Sequence, residues 1–239
     1  MQQFFTDQPL KPGMNYVFTS EQAHHARDVV RLDHETVRLV SDGRGYFAEC
    51  YQKDHDFIAH VIREDERINE SSVSVTLAMA LIRREKFELV LQKASELGAC
   101  RVVPFESSRC VVHAKKEKAL KQKQRWQEIL KEGAQQCKRN RIPAVSDIIP
   151  FDELDHVKSE INCAAYENAY GSSRYLSDLI QPHQTVTIVI GPEGGFSEKE
   201  VSDLEKMGYV SVTLGSRILR AETAALYSLA ICSETGEKK

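Results

Sequence analysis

The chain has 239 residues, 41% of them hydrophobic and 28% charged, proportions that leave room for a sizeable core and exclude both bulk disorder and a fibrous repeat. No apolar run approaches a membrane span, the opening Met1–Asp7 lacks the basic and apolar regions of an export signal, and the six cysteines form no C-x-x-C pair; a zinc ribbon, a redox dithiol and a disulfide framework are disfavoured, and a cytoplasmic protein with reduced thiols is expected. The net charge of −3 conceals a segregation, −5 over residues 1–82, +9 over 83–143 and −7 over 144–239, and a basic stretch inside an acidic chain points to an anionic partner, nucleic acid first.

In chain order, Met14 to Phe18 reads as extended, and Ser20 is a candidate N-cap for a short helix with Val29, Val30 and Leu32 on its later turns. Thr36 to Val40 and Tyr46 to Tyr51, joined by Asp42-Gly43-Arg44-Gly45, carry a hairpin signature, and Phe57 to Ile62 is a further strand. The charged and polar run from Arg63 to Ser72 marks a domain boundary. Residues 1–72 are thus expected to form a small β-barrel or meander, and 73–239 a second domain.

After Ser72 the pattern changes. Val73 to Leu81 alternates as a buried strand; Phe87, Val90, Leu91, Ala94 and Leu97 recur at helical spacing, with Gly98 as the stop. Arg101 to Phe105 is a strand, and a long basic helix follows. Trp126, Ile129, Leu130, Ala134 and Cys137 form its apolar stripe, Lys121, Gln124, Lys131, Gln135 and Lys138 face outward, and it ends before Pro143. Ile161 to Tyr166, Val186 to Ile190 and Tyr209 to Leu214 read as strands; Ser197 and Glu200 form a capping box for a helix to Met207, and another helix starts at Arg220. Strands alternating with helices predict an α/β fold with a mostly parallel sheet.

The loop Gly191-Pro-Glu-Gly-Gly195 leaves a strand's carboxyl end and enters a capped helix, where open α/β sheets place ligands. It is neither a P-loop nor a dinucleotide fingerprint, and Glu193 would repel a phosphate. Glu193 and Glu222 instead suit a cationic ligand. His24 and His25 have no Cys or His at ligand spacing, so no metal site is expected. Trp126, Phe4, Phe5, Tyr46 and Phe47 read as core more readily than as stacking platforms, with stacking on RNA the second reading for Phe4 and Phe5.

Ile190–Ser197 and Leu214–Ala224 together resemble the cofactor-binding signature of SPOUT-type methyltransferases, and within them the ribosomal RNA small subunit methyltransferase E family. Lys86–Gly98, Arg125 through Arg139 to Pro143, and Phe4-Phe5 with His25–Arg31 are similar to the same family, in order and over nearly the whole chain. Departures are Gln3, where the family has Arg, and Gly133 and Lys138, where a small helix former and a small residue are expected.

The resemblance implies a C-terminal α/β trefoil-knot domain, an N-terminal PUA-like β-barrel that binds RNA, a homodimer, S-adenosylmethionine as cofactor, and methylation of N3 of a uridine in 16S rRNA of the small ribosomal subunit. It places the cofactor at Tyr166, Glu167, Ile190, Gly191, Glu193, Gly194, Gly195, Leu214, Gly215, Ile218, Leu219 and Thr223. Methylating a protonated uracil nitrogen needs the proton removed and the resulting negative charge stabilised. Arg220 is the candidate for the charge and Glu222 for the proton or for positioning Arg220. Lys86, Lys93, Arg109, Lys131, Arg139 and Arg141 are the candidate phosphate contacts. Two rival readings are a ribose 2′-O-methyltransferase of the same superfamily and a non-catalytic RNA-binding or ribosome-assembly protein.

Overall fold

The computed structural model describes residues 1–114, 116–166 and 174–238. They divide into two units, Met1–Glu70 with Ala134–Arg141, and Ser71–Gly133 with Ile142–Lys239.

The first unit is a five-stranded mixed sheet of β1 (Gln3–Phe5), β2 (Asn15–Val17), β3 (Thr36–Ser41), β4 (Arg44–Lys53) and β5 (Asp56–Asp65), in the order β1-β3-β4-β5-β2. Asp42 and Gly43, both at positive φ, turn the β3–β4 hairpin. β1 and β2 are the edges of this order, and β1 runs parallel to β3. The alternation of β4 and β5 turns Tyr46, Ala48, Cys50, Phe57, Ala59 and Val61 inward, where they meet Phe4 and Phe18. The strand read as ending at Ile62 continues to Asp65.

Helix α1 (Ser20–His24) is capped by Thr19 rather than Ser20: the Thr19 hydroxyl accepts from the Gln22 amide while the Gln22 side chain returns to the Thr19 amide. It passes into a π turn, His25–Val29, that leaves Val29 exposed and sends Ala26 inward. His24 pairs with Asp28 at 2.7 Å on the surface.

Residues 134–141, read from the sequence as part of the second domain, belong to this unit because buried polar groups claim their backbone. Arg38, 1% exposed, spends its guanidinium on Asp65 at 2.8 Å, Gln3 at 2.8 Å, Asn140 at 3.1 Å and the Lys138 carbonyl at 3.2 Å. Gln3 donates in turn to the Arg139 carbonyl at 2.8 Å, which accounts for an amide at that position. A buried Arg is tolerated only when its fork of donors is matched in this way.

The second unit has a parallel seven-stranded sheet. Its strands are β6 (Ser74–Ala80), β7 (Ala99–Glu106), β8 (Ala144–Val145), β9 (Ile149–Pro150), β10 (Ile161–Ala165), β11 (Thr185–Ile190) and β12 (Val210–Val212), ordered β12-β10-β11-β6-β7-β8 with β9 also on β7. Helices α2 (Arg84–Glu96), α3 (Lys116–Gln136), α4 (Glu198–Lys206) and α5 (Ala221–Glu237) connect or flank the strands. The central strands are buried on both faces, as the run Val186–Ile190, apolar except for Thr187, requires.

The apolar stripe of α3 buries Trp126 and Leu130, and the Trp126 ring lies 4.5 Å from that of Phe87 on α2. At Gly133 α3 passes close to α2: a Cβ there would stand 2.8 Å from the Ser95 Cβ, while the Ser95 hydroxyl donates to the Leu130 carbonyl at 2.8 Å. The helix former expected at 133 has no room. Lys138 lies past the end of α3 at φ 66°, half-buried, with its ammonium on the Gln135 carbonyl at 3.0 Å rather than facing outward.

Candidate active site

Strands β12, β10 and β11 are adjacent and parallel, and their carboxyl ends align, with Ala165 opposite both Ile190 and Val212. The chain therefore leaves the ends of the three strands side by side, at Tyr166, Gly191 and Thr213. Residues of these segments line a concave pocket open to solvent. Of the residues expected at a cofactor, Tyr166, Ile190, Gly191, Glu193, Gly195, Leu214, Gly215, Ile218 and Leu219 line it.

Gly194 and Thr223 do not line it, and Glu167 lies outside the described residues. The Gly194 carbonyl is engaged outside the pocket by Arg109. On α5, Ala221 and Ala224, three residues apart, face the pocket, and the helical rotation turns Thr223 to solvent. Pro192 and Arg217 lie inside the two loops from which sequence reasoning took its site residues, while it missed Ala165, Phe196, Thr213, Ala221 and Ala224. Most are apolar or small and carry no chemical signature, so only their place beside the glycines would have marked them.

The backbone of the glycine loop is fixed by close approach. A Cβ on Gly191 would come within 3.1 Å of the buried Phe196 ring, so a side chain there would make the ring give way by a few tenths of an ångström. Gly215 has φ 113°, and nothing lies within 4 Å of where its Cβ would be. From the outside, Arg109 donates to the Gly194 and Phe196 carbonyls, each at 3.2 Å. Glu200, 7% exposed, accepts from the Ser197 and Ser108 amides, each at 2.8 Å. Burial raises its pKa, but these backbone bonds outweigh burial and hold it below the usual carboxylate range.

Arg220 is the N-cap residue of α5, is exposed, and has no ion pair among the described residues. Glu222 stands in the first turn of α5, where a carboxylate suits the helix dipole. Its Oε1 lies 3.3 Å from the Lys86 ammonium, and its Oε2 is buried with no hydrogen-bond partner among the described residues. Lys86 also lies 3.9 Å from Glu193, which accepts the Arg83 amide at the start of α2.

The six expected phosphate contacts are dispersed. Lys86 and Arg109 touch the glycine loop from outside the pocket; Lys93 pairs with Glu96 at 2.8 Å on α2, and Lys131 with Glu128 at 3.3 Å on α3. Arg139 and Arg141 belong to the other unit. Arg139 is 5% exposed with its guanidinium on Glu70 at 2.5 Å, which corrects the expectation there: a buried, paired side chain holds the fold and offers no face to a phosphate. Arg141 keeps an exposed side chain while its amide donates to Glu70.

The pocket combines glycine backbone, apolar walls and the Glu193 carboxylate, with Glu222 close by. That donor set fits a ligand with a positive centre and a flat apolar part, as S-adenosylmethionine has. No group of His, Cys, Asp and Glu suited to a metal occurs among the described residues, nor any helix long and apolar enough to cross a membrane.

The RNA methyltransferase domain family matches residues 69–233. Ribosomal RNA small subunit methyltransferase E of Bacillus subtilis (strain 168) is 33% identical over 98% of this chain and 96% of its own length. The chain belongs to that methyltransferase family. Its relative from Mesomycoplasma hyopneumoniae (strain 232) is 31% identical over 97% of this chain and 99% of its own. Among solved structures, the Neisseria gonorrhoeae member of the family, bound to S-adenosyl methionine, superposes with a TM-score of 0.87 at 30% identity, over 96% of this chain and 95% of that one. A putative methyltransferase from Legionella pneumophila, also with bound cofactor, gives 0.87 at 29% identity over 97% and 96%. The α/β fold with its parallel sheet is thus that of the SPOUT methyltransferases in this family.

Proposed function

We propose that the chain methylates N3 of a uridine in 16S ribosomal RNA, using S-adenosylmethionine, as a cytoplasmic homodimer acting on the small ribosomal subunit. The observation that carries the reading is the pocket at the aligned ends of β10, β11 and β12, flanked by Arg220, which has no ion pair among the described residues, and by Glu222, whose buried Oε2 has no hydrogen-bond partner among them. The unit of residues 1–70 and 134–141 serves as a PUA-like RNA-binding domain and the unit of 71–133 and 142–239 as the knotted methyltransferase domain; the family membership supports both assignments. Relatives named for small-subunit rRNA support the same substrate.

When bound, the cofactor supplies a methyl on a sulfonium, whose carbon–sulfur bond breaks toward sulfur as the nitrogen–carbon bond forms. The chain's own residues do the rest. Tyr166, Ile190, Gly191, Gly195, Leu214, Gly215, Ile218 and Leu219 hold the donor, largely through backbone, so that the acceptor nitrogen meets it in line. Glu193 offers its negative charge to the donor's positive part. Glu222 receives the N3 proton at Oε2, and Arg220 stabilises the negative charge that the proton leaves on the uracil carbonyls. Arg109 braces the glycine loop, and exposed Arg141 is the candidate for a phosphate contact.

Single-turnover methyl transfer by Arg220→Ala and Glu222→Gln tests the assignment, with cofactor affinity measured beside it. A loss of about 10²-fold in each rate, the lower range for general acid–base and charge stabilisation, is expected with affinity nearly unchanged. Rates equal to those of the unsubstituted protein in both variants would overturn it.

A further inference from the structure

Lys86 occupies the first turn of α2, where the helix dipole disfavours a cation. Its position is explained by what it touches. The ammonium, with a side chain 24% exposed, lies between two carboxylates from distant parts of the chain, Glu222 Oε1 at 3.3 Å and Glu193 Oε1 at 3.9 Å. One belongs to α5 and the other to the pocket's glycine loop, so one cation ties three elements together.

The tie is asymmetric. Glu222 is gripped by one oxygen only, and the other, Oε2, is buried with no hydrogen-bond partner among the described residues. Buried polar atoms are nearly always satisfied, and an exception in a native fold calls for a role. A carboxylate fixed by one oxygen with lone pairs free on the other is a positioned acceptor for an incoming N–H.

We propose that Lys86 is a positioning residue for the methyl transfer, holding Glu222 by Oε1 so that Oε2 faces the proton it must receive. The inference rests on the role given to Glu222 above. It replaces the sequence expectation that Lys86 contacts an RNA phosphate, since an ammonium shared by two carboxylates has little charge left to offer.

The test compares Lys86→Met, Lys86→Arg and the double variant Lys86→Met/Glu222→Gln in the full-length protein. The readouts are the single-turnover rate at saturating S-adenosylmethionine and 16S rRNA, cofactor affinity by calorimetry, and the salt dependence of RNA affinity. Lys86→Met is expected to lose about tenfold in rate, with cofactor affinity and salt dependence unchanged. Lys86→Arg recovers most of the rate, and Lys86→Met costs nothing further once Glu222 is Gln. Should Lys86→Met fail to fold, Lys86→Gln takes its place.

With the unsubstituted protein active, an unchanged Lys86→Met rate overturns this inference alone. So does a double variant whose losses multiply. A weaker RNA complex whose salt slope falls by about one unit would make Lys86 a phosphate contact after all. Absence of transfer by the unsubstituted protein, or a full rate in Glu222→Gln, overturns the functional reading beneath it.

Discussion

Arg109 and Gly194 are locked to each other. The arginine's Nη1 donates to the glycine's carbonyl at 3.2 Å, and a Cβ on Gly194 would stand 3.2 Å from the Arg109 Cβ. The same nitrogen reaches the Phe196 carbonyl, and Glu200 ties Ser108 to the start of α4, so residues 108 and 109 form an outer clasp on the loop that lines the pocket. The expectation of a phosphate contact and the observed clasp make different predictions.

Arg109→Met is expected to weaken S-adenosylmethionine binding by about tenfold, the worth of a charge-assisted hydrogen bond. The slope of RNA affinity against salt should stay where it is. Calorimetry and a salt titration measure the two; a slope reduced by about one unit with intact cofactor affinity would return Arg109 to the RNA.

Gly191→Ala is expected to weaken cofactor binding, because the new methyl would press on the Phe196 ring, 3% exposed, and shift it in the pocket wall. Phe196→Leu in the same chain should recover part of the affinity by making room. Equilibrium binding of the single and double variants checks this, and wild-type affinity in Gly191→Ala would show that the loop shifts freely.

Gly133→Ala raises helix propensity by about 1 kcal/mol, yet it should destabilise the second unit. Its Cβ would fall 2.8 Å from the Ser95 Cβ between two packed helices, an overpacking that costs about 1–3 kcal/mol. Ser95→Gly should relieve it. Urea unfolding followed by Trp126, the single tryptophan and 2% exposed beside Phe87, reads the effect in that unit.

Acid should unfold the protein through two carboxylates. Hydrogen bonds from Arg125 first, against burial, and then from Arg84 hold Glu88 down to about 2; for Asp65, burial pushes upward but the bonds from Arg67 and Arg38 outweigh it, also to about 2. Both folded values lie below the unfolded ones, so their stabilisation is complete above about pH 5 and is lost as pH falls toward 2; the Glu88 pair, whose arginines are exposed, contributes only about 1 kcal/mol after solvent screening. Glu88→Gln should be less stable at pH 7 and show a flatter loss of Trp126-reported stability between pH 5 and 3. An unchanged slope would contradict the assignment of that limb to Glu88.

Local signals carried most of the fold. The capping box at Ser197 and Glu200, the alternation from Val73 to Leu81, and the apolar stripe of α3 all reflect interactions within a few residues, and each is found in the structure. The glycine loop was legible because its backbone does the work. What escaped was set by partners far away in sequence. Lys86 and Arg139 look like free cations until Glu222 and Glu70 are brought to them, and the membership of residues 134–141 in the first unit depends on Arg38 and Gln3. The π turn after His24 leaves no mark because its apolar residues continue the helical spacing.

The central claim is tested most directly by incubating the protein with S-adenosylmethionine carrying a labelled methyl and with 16S rRNA or small subunits from an unmodified source, then digesting the RNA to nucleosides. The account predicts label in 3-methyluridine, with the assembled subunit the better substrate. Label on the ribose 2′-oxygen, or no transfer by a protein that binds the cofactor, would contradict it.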